Sequence, residues 1–64
     1  MKRRELLRHL ELHGCFCARD TGPHSIWKSA ATNEIQPVPR HSEIDSHLCR
    51  RICRKLSIPD PPSK

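Results

Sequence analysis

Apolar side chains recur at helical spacing near the start of the chain. Leu6, Leu7 and Leu10 fall on one side of a helix, whereas most neighbouring positions are charged. This pattern predicts a first helix over residues 2–13. Gly14 follows directly, and glycine is well suited to end a helix because it adopts the left-handed backbone conformation without steric strain.

Three short segments in the middle of the chain have the character of β-strands. They cover residues 15–19, 25–28 and 34–39. Residues 20–23 have the composition of a turn between the first two strands, and residues 29–33 are mostly small and polar, as expected for a hairpin connection. The third segment contains two prolines, which cannot donate to a sheet ladder, so we expect an edge strand or a strand that ends the sheet.

A second helix is predicted over residues 45–56. Leu48, Ile52 and Leu56 repeat every four residues, and Asp45 is a residue type that caps helix N-termini. The opposite side of this helix is basic. Its cations are Arg50, Arg51, Arg54 and Lys55.

The order of these elements predicts an α+β fold, in which a three-stranded antiparallel sheet carries two helices on one face. We expect one domain, residues 1–58, followed by a disordered tail over residues 59–64. Hydrophobic residues make up 34% of the 64 positions, so the core is thin. No segment approaches the roughly 18 consecutive apolar residues of a membrane helix. We therefore expect a cytoplasmic protein with reduced thiols and no membrane partner.

The charge balance points to a polyanionic partner. The chain has 12 Lys and Arg against 7 Asp and Glu, a net charge of +5. Such a balance favours nucleic acid, an anionic membrane surface or an acidic protein. Eight of the 12 cations are arginine, whose planar guanidinium group grips phosphate.

One histidine stands out as a candidate chemical centre. His24 follows Gly22 by two positions and lies at the start of the second predicted strand. An imidazole takes up and releases protons near neutral pH, which suits acid–base catalysis. From this pattern alone, a histidine that only satisfies a turn or a strand edge is the more economical interpretation.

Several residues occupy defined places relative to the predicted elements: Gly14, Arg19, Gly22-x-His24, Trp27, Val38-Pro39-x-His41 and Leu48-x-x-x-Ile52. Together with the order of helices and strands, they make the chain similar to the HicA family of small mRNA interferase toxins over residues 2–58. The chain departs from the usual family pattern at Cys15, at Pro23 and at Ser57, which stands in place of a glycine.

The resemblance implies a fold like that of double-stranded-RNA-binding domains, cleavage of mRNA, and a HicB-like antitoxin as partner, with room for a larger toxin–antitoxin assembly. It places the family's catalytic histidine on His24. As a base, this imidazole would take the proton of an RNA 2′-hydroxyl, which then attacks the neighbouring phosphate without a metal.

Other residues are assigned supporting roles. Arg19, Lys28 and Arg40 flank the strand region that carries His24, and we expect them to hold RNA phosphates. His41 is either an acid partner to His24 or a structural residue that hydrogen-bonds the backbone before the second helix, and we favour the structural role.

The four cysteines raise a rival interpretation. Cys15 with Cys17, and Cys49 with Cys53, could together offer four thiolates to zinc. However, the first pair has a shorter spacing than structural zinc sites use, and both pairs fall where core residues are expected. We therefore expect four core thiols, no metal and no cofactor. A non-catalytic RNA- or DNA-binding module and a zinc-stabilised adaptor remain the alternatives to a metal-independent endoribonuclease.

Overall fold

The computed structural model describes residues 1–62 and contains two helices and three strands in the predicted order. The elements are α1 (Arg3–Leu12), β1 (Cys15–Arg19), β2 (His24–Ser29), β3 (Ile35–Pro39) and α2 (Ser46–Lys55). Each predicted boundary lies within one residue of the observed one. The predicted α+β fold is confirmed, and its arrangement is that of a double-stranded-RNA-binding domain.

The three strands form an antiparallel sheet in the order β1-β2-β3. Because β2 is central, β3 lies at an edge, as its two prolines require. Trp27 pairs with Cys17 in β1 and with Gln36 in β3, whereas His24 pairs with Pro39. The register between β1 and β2 shifts after Cys17, which marks a bulge in β1.

Alternation along β2 separates a buried side from an open side. Ser25, Trp27 and Ser29 are buried, whereas the intervening side chains are partly or fully exposed. The core contains side chains from both helices and from the buried side of the sheet: Leu6, Leu10, Cys15, Trp27, Val38, Ile44, Cys49, Ile52, Cys53 and Leu56. Burying this apolar surface is the main force that holds the helices on the sheet.

The ends of the helices follow the predicted chemistry. Gly14 has a φ of +81° just after α1, which is the left-handed conformation expected there. The Asp45 carboxylate accepts hydrogen bonds from the backbone N–H groups of His47 and Leu48, so it caps α2 as predicted.

The end of α2 is unusual because a serine occupies a left-handed position. Ser57 has a φ of +60°, and its N–H donates to Arg54 O while the N–H of Ile58 donates to Cys53 O. These two bonds are those of a Schellman motif, in which glycine is the favoured residue. The Ser57 hydroxyl also donates to a Glu34 carboxylate oxygen at 2.7 Å, and this contact ties the strained position to the segment before β3.

One expectation about a single residue is wrong. Cys17 is exposed rather than part of the core, because it lies on an edge strand that the bulge bends after this position. His9, in the last turn of α1, is only 8% exposed. The backbone oxygen of Pro59 lies 2.8 Å from its Nε2 atom, because the segment after α2 passes over α1.

The proposed tail has no helix or strand over residues 59–62, where Asp60 forms an ion pair with Arg54. Ser63 and Lys64 lie outside the described residues, and the disorder of the tail stays a prediction. No helix within residues 1–62 has the length and apolar character needed to cross a bilayer.

Candidate active site at the start of the second strand

His24 is the first residue of β2, and its side chain is exposed. The turn before it contains Gly22, whose φ of +76° is strained for any residue with a side chain. Within residues 1–62 the imidazole has no hydrogen-bond partner, so both ring nitrogens are open to a ligand. The glycine of the Gly22-x-His24 element therefore sets how the chain enters the strand that presents His24.

Arg40 holds this turn against the end of β3. Its Nε atom donates to the backbone oxygen of Gly22 at 3.0 Å, and one of its terminal nitrogens lies 2.7 Å from a carboxylate oxygen of Asp20. The guanidinium group of Arg40 is consequently fixed to the backbone of Gly22, which lies two residues before His24 in the chain. Among the predicted phosphate-binding residues, Arg40 is the one that the structure ties directly to the turn carrying the histidine.

Asp20 is the anionic member of the cluster. Its carboxylate accepts a hydrogen bond from the Ser25 hydroxyl at 2.9 Å and forms the ion pair with Arg40. The hydrogen bond from Ser25, and then the bond and charge of Arg40, hold the pKa of Asp20 below its usual range. The carboxylate therefore stays ionised at neutral pH, and its role is to orient Arg40 and Ser25.

Arg3 also lies at the site, although the sequence pattern predicts no role for it. Its Nε atom donates to the backbone oxygen of Pro39 at 2.8 Å, and its Nη2 atom donates to the Ser25 hydroxyl at 2.9 Å. Because Pro39 pairs with His24, this second guanidinium group lies at the His24 end of the sheet, on the buried side to which Ser25 points. A cation in the first turn of α1 is unfavourable for the helix dipole, and this was the available sequence signal.

The remaining predicted phosphate-binding residues lie at different distances from His24. Arg19 is exposed at the end of β1 and pairs with Ile26, two residues along from the histidine. Lys28 is partly buried and lies four residues along β2, roughly 13 Å from His24 at the usual rise of a strand. Arg19 is thus at the His24 end of the sheet, and Lys28 is near the other end.

His41, predicted to be either an acid partner to His24 or a structural residue, lies in the loop after β3. Its side chain is exposed and makes no hydrogen bond within residues 1–62, and Asp45 alone caps α2 with a side chain. Because Pro39 pairs with His24, His41 follows at the same end of the sheet. It is a second free imidazole near the candidate site.

The four thiols do not converge on a common zinc site. Cys15, Cys49 and Cys53 are buried, whereas Cys17 is exposed, and no group of three or more metal-ligating side chains converges within residues 1–62. Burial raises the pKa of all three buried thiols, that of Cys53 to about 12. Zinc binds thiolates, so these groups are poorly prepared to ligate a metal.

The arrangement as a whole combines an open imidazole with anchored cations. Arg3 and Arg40 are anchored to the backbone oxygens of Pro39 and Gly22 at the His24 end of the sheet, and Arg19 lies at the same end. An imidazole can move a proton, while fixed guanidinium groups stabilise negative charge that develops on a phosphate.

Comparison with known proteins identifies a family. The model of the family described as HicA toxin of bacterial toxin-antitoxin matches residues 3–58, nearly the whole chain. No curated protein and no solved structure gives a significant match.

Proposed function

Because the chain belongs to the HicA toxin family of bacterial toxin–antitoxin systems, we propose that it is an endoribonuclease that cleaves mRNA with His24 as its catalytic residue. The family makes it a toxin with a cognate antitoxin as partner. The observation that carries the catalytic proposal is the open imidazole of His24 at the end of the sheet where the guanidinium groups of Arg3 and Arg40 are anchored.

The proposed reaction is attack by the RNA on itself. His24 removes the proton of a 2′-hydroxyl, and the resulting oxygen bonds to the adjacent phosphorus. The bond from phosphorus to the 5′-oxygen then breaks, which leaves a 2′,3′-cyclic phosphate on one product. The departing oxygen takes a proton, and His41 is the nearby imidazole that we propose as its donor. General base catalysis of this kind contributes about 10²–10⁴-fold in rate.

The cations have separate tasks in this reaction. Arg40 and Arg3 are fixed before substrate arrives, so they can stabilise the charge on the attacked phosphate without reorganising. We propose that Arg19 and Lys28 bind successive phosphates of the RNA strand, because these two residues lie at increasing distance from His24. Contacts of this kind position RNA and carry little sequence information.

The mechanism is tested by the chemistry of the product ends. Cleavage should persist in a chelator, leave 2′,3′-cyclic or 3′-phosphate ends, and fail on DNA and on 2′-O-methyl RNA. Mass spectrometry of a short cleaved RNA reads these ends directly. Chelator-sensitive cleavage that leaves 3′-hydroxyl ends would contradict the proposed mechanism.

We further propose that the antitoxin covers the His24 surface. A partner that binds only the folded toxin would block RNA and stabilise this small domain by mass action. Reversing the charges of Arg19, Lys28 and Arg40 together should then weaken both RNA cleavage and antitoxin binding. If cleavage is lost while antitoxin affinity and its salt dependence stay unchanged, the antitoxin binds elsewhere.

The alternative is a non-catalytic RNA- or DNA-binding module. The observation that favours it is the exposed basic side of α2, which carries Arg50, Arg51, Arg54 and Lys55. Such a surface binds nucleic acid by charge and needs no histidine. A purified protein that binds RNA tightly but never cleaves it, with and without His24, would support this alternative.

A further inference from the structure

A shallow basic groove lies between the start of α1 and the loop that follows β3. Lys2, Arg3, Arg4 and Arg40 line it, together with one acidic residue, Glu43. The Glu43 carboxylate lies 3.6 Å from the N-terminal amine, so its charge is partly compensated. The groove therefore gathers four cations in a region where the dipole of α1 disfavours them.

The four cations fall into two pairs. The guanidinium groups of Arg3 and Arg40 are anchored to the backbone oxygens of Pro39 and Gly22. The side chains of Lys2 and Arg4 are exposed and have neither a hydrogen bond nor an ion pair within residues 1–62. The side of the groove with Arg3 and Arg40 is thus fixed to the turn before His24. The other side offers two positive charges that have no partner within residues 1–62.

The N–H group of the first helical residue is already bonded. The backbone N–H of Arg3 donates to Ser42 O at 2.9 Å, so the start of α1 is joined to the loop. The side-chain cations remain available to a ligand, and a cluster of them favours a strongly anionic one. A backbone phosphate of a strand that crosses this end of the sheet meets that requirement.

We propose that this groove binds an RNA backbone phosphate adjacent to the one that is cleaved, with Lys2 and Arg4 as substrate-binding residues. The identity of the ligand as RNA rests on the proposed function. Arg40 lines the groove and also holds the turn before His24, so a strand bound here is registered against the histidine. The groove then sets the position of the RNA, and His24 acts on it.

The test compares two exposed arginines on the same helix. Arg4 lines the groove, whereas Arg8 lies one turn further along α1 and does not. Arg4→Gln and Arg8→Gln are made in the inactive His24→Ala protein, and binding of a short single-stranded RNA is measured by fluorescence anisotropy at several salt concentrations. A double variant, Lys2→Gln with Arg4→Gln, enlarges the effect.

We expect Arg4→Gln to raise the Kd about threefold and the double variant about tenfold, while Arg8→Gln changes it by less than about twofold. The slope of log K against log salt should fall by about 0.7 in the double variant, since one phosphate contact is lost. In protein that retains His24, the same double variant should raise KM and leave kcat nearly unchanged.

Equal RNA binding by the groove variants and by Arg8→Gln would overturn the inference. A loss of binding that the groove variants show only with an acidic protein ligand, and not with RNA, would also overturn the inference. These results differ from a failure of the proposed function, in which His24→Ala still cleaves RNA or the unaltered protein does not bind it. Unchanged thermal melting of each variant establishes that the exposed substitutions leave the fold intact.

Discussion

The His24 end of the sheet and the outer side of α2 are both basic, but they hold their cations in different ways. At the sheet end, Arg3 and Arg40 donate to backbone oxygens beside the histidine, and Asp20 and Ser25 complete the network. On α2, the cations lie one turn apart along the exposed side of the helix. Arg50 contacts His47, and Arg54 pairs with Asp60 outside the helix.

The two surfaces differ in whether their positive charges are held in fixed positions. A guanidinium group that is fixed before the substrate arrives can stabilise a transition state, because it does not reorganise during the reaction. Like charges one turn apart on a helix instead repel one another by about 0.2–0.5 kcal/mol per pair. We therefore propose catalysis at the sheet end, and assign to α2 the core packing of its inner side.

The largest effect is expected from removing one positioned charge. Arg40→Gln should lower kcat/KM for RNA cleavage by about 10²-fold, which is the usual loss when one preorganised charge-stabilising group is removed. Arg51→Gln, an equal change of charge on α2, should lower it by less than about threefold. Initial rates on one short RNA compare the two, and equal losses would show that net charge alone matters.

The free energy of unfolding should depend on alkaline pH because of Cys53, a buried thiol on the inner side of α2. The pKa of Cys53 is raised to about 12 by burial, whereas in the unfolded chain it has its ordinary value of 9.0. The unfolded state therefore gains from ionisation first, so the free energy of unfolding should fall as pH rises from 9 towards 12.

Cys53→Val removes this thiol and is the matched control. It should fold with a change of under about 1.5 kcal/mol, because the volume is nearly conserved, and should show a weaker dependence on alkaline pH. Denaturant titrations at pH 7, 9 and 10.5 measure both proteins. Identical pH dependence in the two would contradict the buried, neutral thiol.

The smallest effect is expected at the end of α2. Ser57→Gly relieves a left-handed conformation that costs a residue with a side chain about 1 kcal/mol, but it also removes the hydrogen bond to Glu34. Ser57→Ala loses the bond and keeps the strain.

Ser57→Gly should therefore be more stable than Ser57→Ala by about 1 kcal/mol, and both should cleave RNA at nearly the unaltered rate. Thermal unfolding and initial rates measure the two properties separately. A serine-to-glycine change that lowers cleavage tenfold would mean that α2 takes part in catalysis, and the comparison between the two regions would fail.

Sequence patterns predicted the fold well because each element carries its own local signal. The Leu48, Ile52 and Leu56 repeat, the Asp45 cap and the Gly14 stop are short-range features, and all were confirmed. The prediction that Cys17 lies in the core was wrong because a bulge interrupts the simple alternation of β1. No residue type in the sequence indicates this bulge.

The candidate site was only partly predictable. Residue chemistry and the family resemblance singled out His24 and Arg40, which are close in the structure through the Gly22 turn. Arg3 was missed because it lies 36 residues from its partner Pro39, and no local pattern reports a contact of that separation. For His41, the predicted backbone hydrogen bond depended on a loop shape that the sequence does not specify.

The central claim is that His24 performs the chemistry while the surrounding cations hold the RNA. The most direct test measures cleavage and binding of one short RNA by the unaltered protein and by His24→Ala. The account predicts that His24→Ala loses at least about 10²-fold in cleavage rate while its Kd for RNA and its thermal stability stay nearly unchanged. A His24→Ala protein that still cleaves RNA at the unaltered rate would contradict it.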